Sequence, residues 1–289
     1  MHRSIFRLLL LLVASFVLQG CSAVRLGYGN ADTLARWWIE QYVDLSPAQN
    51  ALTRDRLVRL HAWHRKTQLT DYVLLARQAQ QLVAGQPTVA DAMALVDGVV
   101  RRGRTLAEQA TPDIADLLST VTPEQIEQMA GRFAEKNAEY AEEARLADGD
   151  SAMRKAYYKR VLERTEHWFG DFSNEQEAVL RRRIDGQAIG SQFWYDERLR
   201  RQREWLDLAR QVQRDHPPRE RIIQLLQDYA AHFDMPRDPA RLLQAQTLRR
   251  NSAELFVASH PITTPAQRAH AQRKLDNLIR DFVELSREE

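Results

Sequence analysis

The chain has 289 residues, of which 28% are Asp, Glu, Lys or Arg and one is a cysteine. A lone cysteine excludes a disulfide framework and a metal site built from several cysteines. The formal net charge is +2, and residues 1–20 carry two arginines and no acid, so the chain without them would be neutral. Neutrality argues against nucleic acid as a partner, because binding phosphates needs a surplus of Lys and Arg.

The first twenty residues have the order of an export signal. Arg3 and Arg7 precede an apolar run from Leu8 to Leu18, and this run is too short to span a membrane. It ends in Leu18-Gln19-Gly20-Cys21, which resembles the lipobox of bacterial lipoproteins. The resemblance implies that residues 1–20 are removed.

The same resemblance implies a covalent diacylglycerol and an N-acyl chain on Cys21, with no other cofactor. Two or more acyl chains hold a protein at a membrane, because each buried methylene contributes about 0.8 kcal/mol. We therefore expect membrane lipid to be a partner through Cys21 and residues 21–31 to form a lipidated tether. Ser22 stands where an Asp would imply retention at the inner membrane, so we expect an outer-membrane protein that faces the periplasm.

Apolar residues recur at helical spacing along the rest of the chain, and no stretch alternates in the manner of a strand. The clearest stripe runs from Ile126 to Ala144 opposite a charged face. This pattern predicts an all-α fold, a multi-helix bundle of eight to ten amphipathic helices over residues 32–289. The body forms one elongated unit or two abutting bundles that divide near residue 149 or 172. Combinations that end helices occur at 85–87, 111–112, 148–150, 216–218, 235–236 and 260–261.

Four tetrads begin with Ser or Thr and end with Gln: Ser46 to Gln49, Thr122 to Gln125, Ser173 to Gln176 and Thr264 to Gln267. Each has the form of a capping box at a helix start, and four copies suggest an internal duplication. Together with Leu45, the first tetrad resembles the Leu-Thr-x-x-Gln motif of Spy-type periplasmic chaperones, which are small helical proteins that cradle unfolded clients. The tetrads are either plain helix starts or a form of this motif.

A second resemblance covers most of the chain. The segments Cys21 to Asp32, Trp37-Trp38, Tyr42 to Leu45 and His61 to Arg65 look like a family of all-helical proteobacterial lipoproteins known as a domain of unknown function. The resemblance implies export, lipidation and a helical body. It implies no activity.

Two sets of residues near the amino terminus are candidate sites. His61 and His64 lie on one side of a predicted helix at a spacing that can bind a metal, or they are polar residues that flank Trp63. Trp37, Trp38 and Tyr42 lie on the first predicted helix after the tether. They either face the membrane surface or pack in the core. Adjacent tryptophans point about 100° apart on a helix, so at least one should face inward.

A basic and aromatic stretch is the candidate surface for a protein or peptide partner. Its members are Trp194, Arg198, Arg200, Arg201, Arg203 and Trp205. Long basic side chains can contact an apolar client while their charges stay solvated. The alternative is a solvated helix face whose arginines pair with nearby acids.

The sequence lacks a glycine-rich phosphate loop, a Gly-x-Ser-x-Gly elbow and a His-Glu-x-x-His helix. Our leading hypothesis is therefore a non-enzymatic outer-membrane lipoprotein that binds protein or peptide partners through a helical surface, in chaperone-like or assembly work. One alternative is a structural tether for an envelope complex. A second is a metal-responsive sensor that uses His61 and His64.

Replacing Cys21 with Ser should abolish acylation, because the thiol is the acceptor of the diacylglycerol. Metabolic labelling with an alkynyl fatty acid measures this directly, and Ser22→Ala is the matched control that should keep its label. A Cys21→Ser protein that still carries the label would contradict the lipoprotein assignment.

Overall fold

The computed structural model describes residues 23–288, and the regular structure in this range is helical. Within it, no helix is both long enough and apolar enough to cross a membrane. Twelve α-helices occur in this order: α1 Ala23–Gly29, α2 Ala31–Glu40, α3 Pro47–Thr67, α4 Leu69–Ala84, α5 Val89–Leu118, α6 Pro123–Glu143, α7 Asp150–Phe169, α8 Asn174–Asp185, α9 Ser191–Asp215, α10 Arg219–Ala231, α11 Pro239–Ser259 and α12 Pro265–Leu285. A 3-10 turn, His260–Ile262, lies between α11 and α12.

The all-α prediction is confirmed, but the predicted number of eight to ten helices is wrong. Two boundaries in the described range carry weak signals in the sequence. Gln68 separates α3 from α4 while keeping nearly helical dihedral angles, φ −106° and ψ −31°. Asn30 separates α1 from α2 without a side-chain cap. Neither boundary contains the Gly-Pro combinations that usually mark a helix end.

One predicted helix end is absent. Helix α5 runs for 30 residues and passes through Pro112, where we expected a break. Proline inside a helix costs about 3 kcal/mol, because its ring clashes with the preceding turn and it has no N–H to donate. Helices α3, α4, α9, α10 and α11 all pack against α5. We attribute its continuity to this packing.

Part of the expected tether is folded onto the body. Residues 23–29 form α1, which contacts α2 and α12. The Arg25 guanidinium lies 3.5 Å from the Asp281 carboxylate of α12, and the Tyr28 hydroxyl lies 2.8 Å from Nδ1 of His64 on α3. The packed structure therefore begins by Ala23 rather than near Asp32. Cys21 and the predicted export signal lie outside the described residues.

The four tetrads begin α3, α6, α8 and α12, and each forms the predicted capping box. Their glutamines also bind one another in two pairs. In the first pair, Gln49 Nε2 donates to the Thr120 carbonyl at 2.9 Å, and Gln125 Nε2 donates to the Asp44 carbonyl at 2.7 Å. The two amides also contact each other, at 2.7 and 3.0 Å.

The second pair repeats this geometry. Gln176 Nε2 donates to the Ile262 carbonyl at 2.6 Å, and Gln267 Nε2 donates to the Asp171 carbonyl at 2.7 Å. In both pairs the accepting carbonyl belongs to the residue two positions before the partner's N-cap. Each pair therefore joins two helix starts side by side, α3 with α6 and α8 with α12.

The interior of residues 23–288 contains five hydrophobic clusters. The largest includes Ile126 of α6, Val212 of α9 and Ile222 of α10. Three of the others involve residues of α4, α7, α11 and α12. Helix α12 packs on α4 and α7, and α11 packs on α5, so contacts cross both residue 149 and residue 172.

The second glutamine pair should behave as one energetic unit. We expect Gln176→Ala and Gln267→Ala each to destabilise the protein, and the double variant to lose about 0.5–3 kcal/mol less than the sum of the two. Urea denaturation of the full chain measures all three. Gln49→Ala with Gln267→Ala is the matched control, since these glutamines belong to different pairs, and its effects should add. Equal coupling in both cycles would contradict the pairing.

Candidate functional site

An apolar cavity of about 390 Å³ lies among α4, α7, α11 and α12. Each helix contributes buried side chains to its wall, among them Val83 of α4, Phe169 of α7, Leu255 of α11 and Leu275 of α12. An apolar cavity of about 150 Å³ already accepts a benzene molecule, and ligand pockets usually measure about 300–1,000 Å³. The cavity therefore has the size of a small-molecule binding site.

Members of three neighbouring hydrophobic clusters line the cavity. Val83, Phe169 and Leu275 belong to one cluster, Leu255 to a second and Leu82 to a third. Protein interiors normally contain few voids larger than a water molecule. The unfilled space between three clusters is therefore a built feature of this helix arrangement.

Four of the five wall hydroxyls and the His260 imidazole are turned toward the backbone. Four wall hydroxyls donate to carbonyls of their own segments at 2.7–3.0 Å, those of Thr165, Ser252, Ser259 and Thr263. Nε2 of His260 lies 3.0 Å from the Val83 carbonyl, and because a carbonyl only accepts, Nε2 is the donor. These donors are not offered to a ligand, which leaves the wall chemically apolar.

Arg164 is the one arginine or lysine in the wall. It is exposed, and it forms no ion pair or hydrogen bond with any residue from 23 to 288. A guanidinium remains charged at all relevant pH values. The cavity thus combines apolar walls with a single available positive charge where it opens to solvent.

Sequence reasoning did not find this cavity. Its lining extends from Ala79 to Leu275 and comes from four separate helices and the 3-10 turn, with Leu95 of α5. Each lining residue looks in sequence like an ordinary core residue of an amphipathic helix. Arg164 is visible in the sequence, but nothing there distinguished it from the paired arginines.

The predicted partner surface around Arg198 to Arg203 is not assembled as a free surface. Arg200 binds Glu197 and Glu204, each at 2.8 Å, and Glu197 also binds Arg241 at 2.6 Å. Glu197 is only 1% exposed. Arg200 therefore pairs with nearby acids, as the alternative for this stretch predicted, but the network around Glu197 is buried and not a solvated face.

The remaining members of the stretch are also engaged with the protein. Arg198 donates to Oδ1 of Asn137 at 2.7 Å, and the Arg201 guanidinium lies 4.8 Å from the centre of the Phe233 ring. Trp205 packs against the largest cluster, and Trp194 packs with Phe193. Only Arg203 is exposed. The stretch does not present the cationic and aromatic surface that a client would need.

Burial of Glu197 alone would raise the pKa of its carboxyl, but hydrogen bonds and charge from Arg200 and Arg241 outweigh burial and lower that pKa. A lowered folded-state pKa means that the ionised carboxylate contributes stability above its ordinary pKa. This contribution is lost as the pH falls through the folded-state value. The network is therefore at full strength at neutral pH.

His61 and His64 pack around Tyr28 of α1. The Tyr28 hydroxyl lies 2.8 Å from Nδ1 of His64, and the Tyr28 ring lies 4.8 Å from the His61 ring. Burial lowers the pKa of both imidazoles, and it raises the pKa of Tyr28 to about 12. Across the described residues, no three His, Cys, Asp or Glu side chains are grouped to hold a metal.

Trp37 and Trp38 are both 58% exposed. The expectation that at least one of them faces inward is therefore wrong. Trp38 lies against Tyr42, with ring centres 5.0 Å apart, and Tyr42 in turn packs on Phe133 of α6. Of the three aromatics, only Tyr42 reaches the core.

A family model matches residues 41–234, and its description is "Family of unknown function (DUF6279)". The match covers more than half of the chain, so the chain belongs to this family. It includes the α4 and α7 walls of the cavity and ends before α11 and α12. No curated protein and no solved structure matches the chain.

Replacing Arg200 should lower the free energy of unfolding far more than replacing Arg203. Arg200→Gln leaves the buried Glu197 carboxylate with Arg241 alone, and we expect a loss of about 3 kcal/mol in the free energy of unfolding. Arg203→Gln removes an exposed charge from the same helix and should change it by less than about 0.5 kcal/mol. Urea denaturation at neutral pH compares the two. Similar losses in the free energy of unfolding would show that the Glu197 network contributes no more to stability than an exposed charge does.

Proposed function

We propose that this member of the family is a lipid-anchored, non-enzymatic envelope protein that binds a single-chain amphiphile with an anionic head, such as a fatty acid. The observation that carries the proposal is the apolar cavity with Arg164 at its edge. The chain of the ligand would occupy the cavity, and its head would lie beside the guanidinium.

The walls favour an aliphatic chain over a polar ligand. A sugar, nucleotide or peptide backbone would have to leave water and find hydrogen-bond partners, and each unpaired polar group costs about 1–3 kcal/mol. The wall hydroxyls and His260 already donate to carbonyls. A methylene chain needs no such partners and gains about 0.8 kcal/mol for each buried CH₂.

The charge at the edge favours an anionic head. Arg164 has no described partner, whereas Arg160 on the same helix donates to the Ser191 hydroxyl at 3.2 Å. A carboxylate or phosphate can accept two parallel hydrogen bonds from a guanidinium. An exposed pair of this kind is worth about 0.2–1 kcal/mol, so the head would orient the ligand while the chain supplies most of the affinity.

The placement in the envelope rests on the lipobox that ends at Cys21 and on Ser22, which favour an outer-membrane protein facing the periplasm. A protein- or peptide-binding role and the tether role remain alternatives. The first depended on the stretch from Trp194 to Trp205, whose arginines serve internal contacts. A metal-sensing role depended on His61 and His64, which pack on Tyr28.

Affinity should rise with chain length and then level off. We expect each added methylene to tighten binding about four-fold until the cavity is full. The full chain in a detergent-free amphipol is crosslinked with a photoactivatable fatty acid, and unlabelled saturated fatty acids of increasing length compete. Mass spectrometry measures the label on peptides from α7, α11 and α12.

Two variants test the two parts of the site. Val161→Phe should weaken the longest chains most, because Val161 lines the cavity and the larger ring fills it. Arg164→Gln should weaken binding of a fatty acid by up to about five-fold and leave the matching alcohol unaffected. Arg183→Gln removes an exposed arginine of α8 outside the lining and is the control. Label spread evenly over the surface, without chain-length dependence, would refute the proposal.

A further inference from the structure

We propose that the outer face of α1 and α2 lies on the lipid bilayer surface and forms a second membrane contact beside the anchor at Cys21. This inference rests on the lipid anchor of the proposed function, but it does not depend on the cavity or on its ligand. It rests on an inverted distribution of polarity in α2 and on where the chain enters α1.

Helix α2 carries its apolar face outward. Its four exposed residues are Thr33, Leu34, Trp37 and Trp38, and none of them is charged. Its charged residues Asp32, Arg36 and Glu40 are half-buried, and Arg36 binds Glu40 at 3.0 Å. A surface helix in water normally shows the opposite arrangement, with charges outward and apolar residues toward the core.

The apolar residues of α2 form one continuous stripe. Leu34, Trp37 and Trp38 are spaced i, i+3 and i+4, so helical geometry places them side by side. Their exposed fractions are 50%, 58% and 58%. The opposite side of the helix is the attached one, because Ile39 packs against the largest cluster and Arg36 reaches Asn50 of α3.

Helix α1 extends the same kind of surface. Arg25 and Tyr28, spaced i and i+3, attach one side of α1 to α12 and α3. Leu26 points away from these contacts and is 66% exposed, the largest exposed fraction among the exposed large apolar side chains. The attachment fixes the orientation of α1, so its exposed leucine is a constant feature of the surface.

The position of the face along the chain identifies the bilayer as its occupant. Ala23 follows Cys21 by two residues, a distance of at most about 7 Å in an extended chain. An acylated Cys21 therefore brings α1 to the headgroup region. If residues 1–20 are not removed, the apolar run from Leu8 to Leu18 brings α1 to the headgroup region in the same way. Tryptophan prefers this depth, because its ring is apolar and its N–H can meet water and headgroups.

Tryptophan quenching by brominated lipid tests the contact in the full chain. The protein is reconstituted into phosphatidylcholine vesicles with bromine near the headgroup end or near the methyl end of the acyl chains. We expect the shallow bromines to quench part of the emission of the six tryptophans. Trp37→Phe/Trp38→Phe should lose most of this quenching, because phenylalanine keeps the apolar contact and removes the fluorophore.

Trp194→Phe/Trp205→Phe removes two tryptophans from α9 and is the matched control. In this variant the quenched fraction of the remaining emission should rise. Absence of quenching in the wild-type protein, or quenching that persists in Trp37→Phe/Trp38→Phe, would overturn the proposal. A second copy of the chain on this face would also give unquenched tryptophans, together with a dimer in sedimentation. Failure here would leave fatty-acid crosslinking in the cavity unaffected, so the two proposals fail separately.

Discussion

The two glutamine pairs are the constraint on which the arrangement of the helices depends. A helix start leaves amide groups without partners, and the capping boxes at Ser46, Thr122, Ser173 and Thr264 satisfy some of them. In each pair the glutamine side chain then crosses to the carbonyl before its partner's N-cap. The glutamines thus have two roles. They help to satisfy the unpaired groups at a helix start, and they fix the distance between two helices. The second pair sets the start of α12, and α12 provides the cavity wall that carries Leu275.

The cavity follows from how these helices divide the interior. Among residues 23–288, members of three hydrophobic clusters line the space, and α12 packs on both α4 and α7 beside it. Most wall hydroxyls and the His260 imidazole are satisfied by nearby carbonyls, which keeps the space largely apolar. Arg164 is then the one cation that this wall offers to a ligand. Size, wall chemistry and edge charge together favour an anionic amphiphile.

Charge has two different uses in this protein. Arg200 and Arg241 neutralise Glu197, which is nearly inaccessible to water, so their role is to stabilise the fold. In α2, near the amino terminus, apolar residues are exposed instead of charges. Leu34, Trp37 and Trp38 face outward, and the charged residues lie against the body. The basic stretch around Arg200 thus contributes to the interior, whereas Trp37 and Trp38 lie at the surface. The membrane-facing proposal explains the exposed aromatic residues through the proposed lipid attachment at Cys21.

The sequence by itself determined the helical class and the starts of α3, α6, α8 and α12, because hydrophobic spacing and capping boxes are local properties of a few consecutive residues. Tertiary structure alone decided that the tetrads pair, that α5 continues through Pro112 and that Arg200 is buried with Glu197 while Arg164 has no partner among residues 23–288. The pairing of the tetrads and the burial of Glu197 against Arg241 depend on contacts between residues tens of positions apart. The cavity is the clearest case, since its lining residues each resemble ordinary core positions and only the packing of four helices leaves space between them.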